Sequence, residues 1–422
     1  MTRPLRVAVV ARAVMPLHGL GGLERSVRDL VRHLAARGVD VTLIVPPPRA
    51  VTRHEAADPF SAPALTLRHV SYLTFPFANR RGTTVLDRSS SYLLYGWRAG
   101  RLAGELVRQN HADIVHGFGA SVLGYARLRA RRRGAAPLVF NPQGLEEFGA
   151  TAAVQPWMKR VGYAPLRRAV RVCASAADCI VATDRSLEST VERHLHPRPG
   201  QMRTIPNGID LLETSALAGP ADGHLIRQRH GIGPGEIVLL SVGRLERSKG
   251  FDILAAALAR AAQPGTTLAA CGWRWVVVGS GPFQTQLDRT IDGHEIGAHV
   301  IRVGRAVERD LHAWYEAATV FVHPTLYEGS SLVTLEAMAH RRPVVATRAG
   351  GLPDKVRPGE NGWLVPPGDI EALTDALTSA ASQSAALASM GARSREIVER
   401  EFAWTSLAQR QIAVYEELLD RT

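Results

Sequence analysis

Glu328 and Glu336 have seven residues between them in the segment running from Pro324 to Ala339. The apolar run Val320, Phe321, Val322 reads as a buried strand, Gly329 permits a tight turn, and Leu332, Leu335 and Ala339 repeat at helical spacing. A strand therefore ends, turns and launches a helix, with Glu328 on the loop and Glu336 inside the helix. The first amides of that helix, at Leu332 and Val333 behind Ser330 and Ser331, lack intrahelical acceptors and carry partial positive charge, which suits a phosphate. Two carboxylates beside a phosphate must grip something neutral. Sugar and ribose hydroxyls fit, because an ionised carboxylate only accepts hydrogen bonds. The pattern points to a nucleotide-sugar site.

A second cluster follows the strand Ile237 to Val242. Gly243-Arg244 and Lys249-Gly250 frame a loop that opens a helix, so Arg244 and Lys249 would stand near the same strand ends. Arginine's planar fork and lysine's compact charge together suit a departing diphosphate. In the first half, Gly21, Gly22 and Glu24 join a strand to a helix, and free glycine amides there could meet the diphosphate or an acceptor. His116 follows the strand Asp113 to Val115, and Gln143 lies in the polar segment after Leu138 to Phe140. Gly279-Ser280-Gly281 also follows a strand but lacks the full dinucleotide fingerprint, and it reads as a turn. Gly350 and Gly351 could serve either a turn or a close backbone approach to a ligand.

The elements that must position these groups alternate strand and helix. Strands are predicted at Leu5 to Val10, Val39 to Val45, Thr66 to Tyr72, Asp113 to Val115, Leu138 to Phe140, Cys179 to Ala182 and Met202 to Ile205. After a break at Pro206-Asn207-Gly208, extending through a polar stretch to Gly235 that reads as a hinge, strands resume. They are expected at Ile237 to Val242, Trp275 to Val278, Val300 to Val303, Val320 to His323, Pro343 to Ala346 and Gly362 to Val365. Helical patterning covers Leu23 to Ala36, Tyr92 to Gln109, Val122 to Arg132, Met158 to Cys173, Ser186 to Arg193 and Phe251 to Ala262. Trp404, Leu407, Val414 and Leu418 share one face of a last helix that must pack on something. The domain expectation is residues 1–208, 209–400 and a returning helix at 401–422, two parallel α/β units facing across a cleft.

Composition fits a globular protein: 422 residues, 45% hydrophobic and 21% charged. Three cysteines, Cys173, Cys179 and Cys271, show neither a disulfide framework nor metal-ligand spacing, so a reducing, cytoplasmic setting and no bound metal are expected. Leu5 to Val10 is too short to span a bilayer and reads as a strand rather than a signal peptide. Much of the formal charge of +12 gathers between residues 127 and 171, where Arg127, Arg129, Arg131, Arg132, Arg133, Lys159, Arg160, Arg167, Arg168 and Arg171 are opposed only by Glu146 and Glu147. That cluster is either a general arginine bias or a contact for an anionic membrane face. Nucleic acid is disfavoured because no interleaved aromatics accompany it.

Taken together, Gly21-Gly22-Leu23-Glu24, Asn207-Gly208-Ile209-Asp210, Gly243-Arg244 with Lys249-Gly250, and Glu328 to Glu336 resemble the family-4 retaining glycosyltransferases. The resemblance implies the GT-B fold of two Rossmann-like domains, with the nucleotide held mainly by the second and the acceptor mainly by the first, and catalysis without a required metal. It also implies roles by position. Arg244 and Lys249 would bind the diphosphate, Glu336 the ribose, and Glu328 a hydroxyl of the donor sugar. His116 would lie near the sugar's reacting face, backbone at Gly304 and Arg305 would meet the base, and Glu24 and Gln143 would face the acceptor. Two departures stand out. Many relatives carry Phe-Gly where this chain has Ser330-Ser331, and a histidine common near Gln143 is missing. The expected activity is transfer of a sugar from a UDP-, GDP- or ADP-type donor to an acceptor hydroxyl of open class. A nucleotide-sugar epimerase or hydrolase, and a non-catalytic basic protein, remain the alternatives.

Overall fold

The computed structural model describes residues 3–19, 21–48, 60, 62–72, 83–131, 135–149 and 157–421. Leu20 of the glycine loop and Arg132 and Arg133 of the basic cluster lie outside the described residues. The chain forms two compact units, residues 1–207 with 404–422, and residues 208–403.

Among the described residues, the first unit carries seven strands: β1 (Arg6–Val10), β2 (Asp40–Val45), β3 (Leu65–His69), β4 (Ile114–Phe118), β5 (Leu138–Asn141), β6 (Cys179–Ala182) and β7 (Met202–Thr204). All pair in parallel in the order β3-β2-β1-β4-β5-β6-β7. Strands buried on both faces read as continuous apolar runs, which is why they are visible in the sequence. Helix Gly22–Ala35 covers one face with Val27, Leu30, Val31 and Leu34, while Leu23 in its first turn stays exposed. Helix Trp404–Asp420 belongs to this unit: Leu407, Val414 and Leu418 share a core with Val27 and Leu30, and Trp404 stacks on His33 at 6.1 Å.

The second unit holds β8 (Ile237–Val242), β9 (Trp273–Val278), β10 (Val300–Gly304), β11 (Val320–His323), β12 (Val344–Thr347) and β13 (Gly362–Val365). Their order is β10-β9-β8-β11-β12-β13, again parallel. Connections leave β8 and β11 toward opposite sides of the sheet, and such a switch point opens a crevice at the strands' carboxyl ends. The loop after β8 carries Arg244 and Lys249, and the loop after β11 carries Glu328.

Two expectations about elements need correction. The stretch from Gly208 to Gly235, read as a hinge, contains helices Leu211–Leu217 and Pro220–Arg229 inside the second unit. Asp210 Oδ1 caps the first of these by accepting from Leu212 and Glu213 amides at 3.0 Å each. Gly223 sits in the second because a Cβ there would fall 2.6 Å from the Glu316 carbonyl carbon, so this glycine marks helix-to-helix contact. The basic stretch read as one helix is two, Trp157–Gly162 and Ala164–Ala176, with Pro165 at the start of the second where its missing amide costs nothing.

Candidate active site

The loop after β8 folds a single turn, Arg247–Lys249, and ends at Gly250 with φ 65°. A Cβ on Gly250 would lie 2.1 Å from the Pro324 carbonyl oxygen, so glycine is demanded both by the left-handed backbone and by contact with the next loop. The Ser248 carbonyl accepts from the Leu326 amide at 2.8 Å and from Thr325 Oγ1 at 3.0 Å. These main-chain stitches bring Lys249 Nζ to 2.7 Å from Glu328 Oε2. Gly350, φ 52°, closes the other side: its Cβ would meet the Glu328 carbonyl oxygen at 1.7 Å, and the Gly351 amide donates to Gly329 O at 3.1 Å. The Gly350-Gly351 pair therefore braces the carboxylate loop.

Glu328 is partly buried, its side chain 15% exposed. Burial pushes its carboxyl up, but the hydrogen bond from His323 and the ammonium of Lys249 outweigh burial and hold it well below the usual carboxylate range. The carboxylate is ionised. Beside it, Ser330 Oγ is buried without a hydrogen-bond partner. Ser331 stands at the start of helix Leu332–Ala339 without capping it through its side chain, because its hydroxyl pairs with Thr334 Oγ1 at 2.9 Å. The leading amides at Leu332 and Val333 thus gain no side-chain acceptor from Ser331. One turn on, Glu336 is buried and accepts from the Tyr315 hydroxyl at 2.8 Å. Tyr315 stacks flat on His340 at 5.7 Å, and His340 in turn bonds Glu316 at 2.6 Å and His312 at 2.7 Å.

Arg244 is not gathered with Lys249 and Glu328. Its side chain is 76% exposed and pairs with Glu246 at 2.7 Å. Gly304 closes β10 at φ 74°, followed by exposed Arg305, and the Gly304 carbonyl accepts from the Gly279 amide at 2.7 Å. Gly279 and Gly281, read as a turn, make close backbone approaches: Cβ atoms there would fall 1.8 Å from Gly243 O and 2.3 Å from Leu245 O. Loop ends from β8, β9 and β10 consequently lie against one another.

In the first unit, Gly21 and Gly22 stand exposed at the N-terminus of helix Gly22–Ala35. The Glu24 carboxylate folds back over them, with Oε2 2.4 Å from where a Cβ on Gly21 would be. An acid in the first turn complements the positive helix end. Gln143, φ 64°, and Leu145, φ 49°, both hold the left-handed conformation in the loop after β5, and the Gln143 amide donates to Asn141 Oδ1 at 3.1 Å. Side chains rarely tolerate that backbone, and such strain concentrates at functional loops. In the same loop burial pushes the Glu147 carboxyl up to about 7.

The expectation for His116 is corrected. β4 runs on to Phe118, so His116 lies mid-strand between Val9 and Val139, 1% exposed. Its Nδ1 is 2.7 Å from the Tyr415 hydroxyl of the C-terminal helix, and burial lowers the imidazole to about 3. Gly117, which suggested a strand end, is small because a Cβ would meet Val122 at 2.4 Å. This histidine is a neutral core residue.

Comparisons with known proteins bear on the family and the fold. Residues 20–212 match the family described as Glycosyltransferase Family 4, and residues 236–383 match Glycosyl transferases group 1. A D-inositol 3-phosphate glycosyltransferase of Acidothermus cellulolyticus is 31% identical over 386 residues, 86% of this chain and 79% of that one. The chain belongs to glycosyltransferase family 4. D-inositol 3-phosphate glycosyltransferase 2 of Catenulispora acidiphila is 28% identical, spanning 99% of this chain and 96% of its own. Among solved structures, sucrose-phosphate synthase from Thermosynechococcus elongatus superposes with a TM-score of 0.72 at 24% identity, covering 99% of this chain and 100% of that one. HepE of Anabaena in complex with UDP gives 0.71 at 18%, covering 98% and 100%. The fold is GT-B.

Three residues of this family-4 glycosyltransferase escaped the sequence reading. His323, at the end of β11, has its ring fully buried with Nε2 2.6 Å from Glu328 Oε2. Tyr315 holds Glu336. Lys355, fully buried, donates from Nζ to Gly351 O at 3.2 Å and sits 5.5 Å over the Phe402 ring. A buried histidine, tyrosine or lysine has no periodic signature, and only tertiary contact reveals its partner. Among the described residues no group of histidine, cysteine or acidic side chains has the arrangement of a metal site, and no helix is long and apolar enough to cross a membrane.

Proposed function

We propose that this glycosyltransferase moves a sugar from a nucleotide diphosphate donor to an acceptor hydroxyl, with retention at the transferred carbon and no required metal. The observation that carries this is the 2.7 Å pairing of Lys249 with Glu328 beside the leading amides of helix Leu332–Ala339, at the switch point between β8 and β11. A cation, a helix N-terminus and an ionised carboxylate at one strand edge make a site for a phosphate joined to a hydroxyl-rich group. Lys249 and the Leu332 and Val333 amides take the diphosphate, joined by Arg244 when it leaves Glu246. Glu328 takes a sugar hydroxyl and Glu336 the ribose, with Ser330 and Ser331 lining the sugar and backbone at Gly304 and Arg305 meeting the base.

As the bond from the sugar's anomeric carbon to the diphosphate oxygen breaks, negative charge grows on that oxygen. Lys249 and the helix amides stabilise it most when it is fully developed, which lowers the barrier without a protein nucleophile. The departing phosphate oxygen takes the acceptor hydroxyl's proton, and the acceptor oxygen bonds the anomeric carbon on the same face. HepE, which shares the fold, has been solved with UDP and with UDP-glucose, which supports a nucleotide-sugar donor. The relatives' shared description supports a phosphorylated cyclitol as acceptor.

The test is incubation with UDP-, GDP- and ADP-hexoses, each with and without inositol phosphate and EDTA, with products resolved by mass and the new linkage by NMR. An EDTA-resistant, acceptor-dependent product with retained configuration is expected. Donor turnover unchanged by any acceptor would replace transfer with hydrolysis or epimerisation, and activity restored only by a divalent cation would overturn the metal-free mechanism.

A further inference from the structure

We infer that His323 is a positioning residue for the donor sugar, acting through Glu328: it fixes one carboxylate oxygen so that the other faces the sugar hydroxyl. This rests on the assignment of Glu328 to the donor sugar. The two oxygens of Glu328 are differently occupied. Oε2 receives both His323 Nε2 at 2.6 Å and Lys249 Nζ at 2.7 Å. Among the described residues, Oε1 receives the Gly329 amide alone, at 3.2 Å. A carboxylate oxygen offers two lone-pair directions, so Oε2 is saturated and Oε1 has capacity left for a hydroxyl donor.

The tautomer follows from the surroundings. Burial holds the His323 imidazole below its ordinary value, although Glu328 pulls the other way and Lys249 and Lys355 add to the lowering. A neutral ring has one N–H, and the ionised carboxylate can only accept, so the proton is on Nε2. His323 Nδ1 is buried with no hydrogen-bond partner, as an acceptor nitrogen facing apolar surroundings would be. The ring itself is fixed, stacked near Phe321 at 5.8 Å with 18° between the planes.

A second ammonium in this fully buried place would carry a large desolvation cost, whereas a neutral imidazole donates without one. Lys249 alone, on a four-carbon stem, leaves the carboxylate free to rotate with it. The rigid ring at the end of β11 removes that freedom. Strand end and carboxylate are thereby held in one frame.

Three substitutions test this. Glutamine places an amide where Nε2 stands, asparagine's amide is too short to reach Oε2, and leucine removes the donor. Binding of the nucleotide sugar turned over by the wild-type chain is compared with binding of its nucleoside diphosphate by calorimetry, alongside thermal melts. H323L and H323N should lose about tenfold or more in affinity for the nucleotide sugar, and H323Q less than about threefold, from loss or retention of one charge-assisted hydrogen bond. The diphosphate, which lacks the sugar, should bind all three within about threefold of wild type. Equal losses for both ligands, or wild-type nucleotide-sugar affinity in H323N, would overturn the role. E328Q separates the underlying assignment: wild-type binding there removes Glu328 from the sugar site, whereas weakened E328Q beside unaffected H323N removes His323 alone.

Discussion

Replacing Lys249 with methionine keeps most of the stem and removes the charge. Its ammonium is 2.7 Å from Glu328 and the side chain only 20% exposed, so the screening around it is that of a protein interior edge rather than of bulk water. At about 4 Å and an effective dielectric of about 20, one unit of charge developing on the diphosphate interacts with the ammonium by ~4 kcal/mol. Water and the neighbouring helix amides recover about half of that, leaving ~2 kcal/mol of lost transition-state stabilisation, roughly a 30-fold fall in kcat. K249M also strips Glu328 of its cation. A carboxyl held low in the folded state contributes stability above its unfolded pKa of about 4.3, and that contribution is lost as pH falls through the folded value. Removing Lys249 raises the folded value, so K249M should melt lower than wild type at neutral pH. The double variant K249M/E328Q should regain melting temperature while turnover stays down. Steady-state kinetics with the identified donor and differential scanning calorimetry read the two effects apart. K249M turning over at the wild-type rate would refute the assignment of Lys249 to the leaving group.

E336Q should raise the donor KM about tenfold with a smaller change in kcat, and should lose discrimination between ribose and 2′-deoxyribose donors; unchanged KM for both would remove Glu336 from the ribose. G350A, whose Cβ would press 1.7 Å from the Glu328 carbonyl at φ 52°, should lose about 2 kcal/mol or more of stability by denaturant titration, far beyond an ordinary surface change. His116 titrates near 3 when folded against about 6.5 unfolded, so the unfolded chain binds its proton more readily between those values and stability should fall as pH drops from about 6.5 toward 3. H116F should flatten that slope without changing sugar transfer at neutral pH, and an unaltered slope would show that His116 does not carry it.

The strands were legible because parallel strands covered on both faces leave unbroken apolar runs such as Ile237 to Val242, with no competing period. Helices Leu211–Leu217 and Pro220–Arg229 were not, since their exposed leucines, Leu212 and Leu225, blur any apolar face and Gly223 imitates a loop. On the site, the placement of Lys249 and Glu328 after neighbouring strands, and of Glu336 in the helix that follows, could be read from residue type and pattern. Their supports could not. His323 looked like the last residue of a strand, Tyr315 carried no signal of its own, and Gly350 suited a turn or a close approach to a ligand, not a brace. His116 misled for a related reason, because Gly117 marks tight packing on Val122 rather than the end of β4.

The carboxylate loop takes its path from main-chain atoms: the Pro324 carbonyl under Gly250, the Glu328 carbonyl under Gly350, and the Gly351 amide on Gly329 O. None of these contacts involves the side chains of Ser330 or Ser331. The path of the loop is therefore set by atoms other than the two serine side chains proposed to line the sugar. On the proposed assignment, exchanging Ser330, whose hydroxyl has no protein partner, would change which hexose fits while these main-chain contacts stay in place.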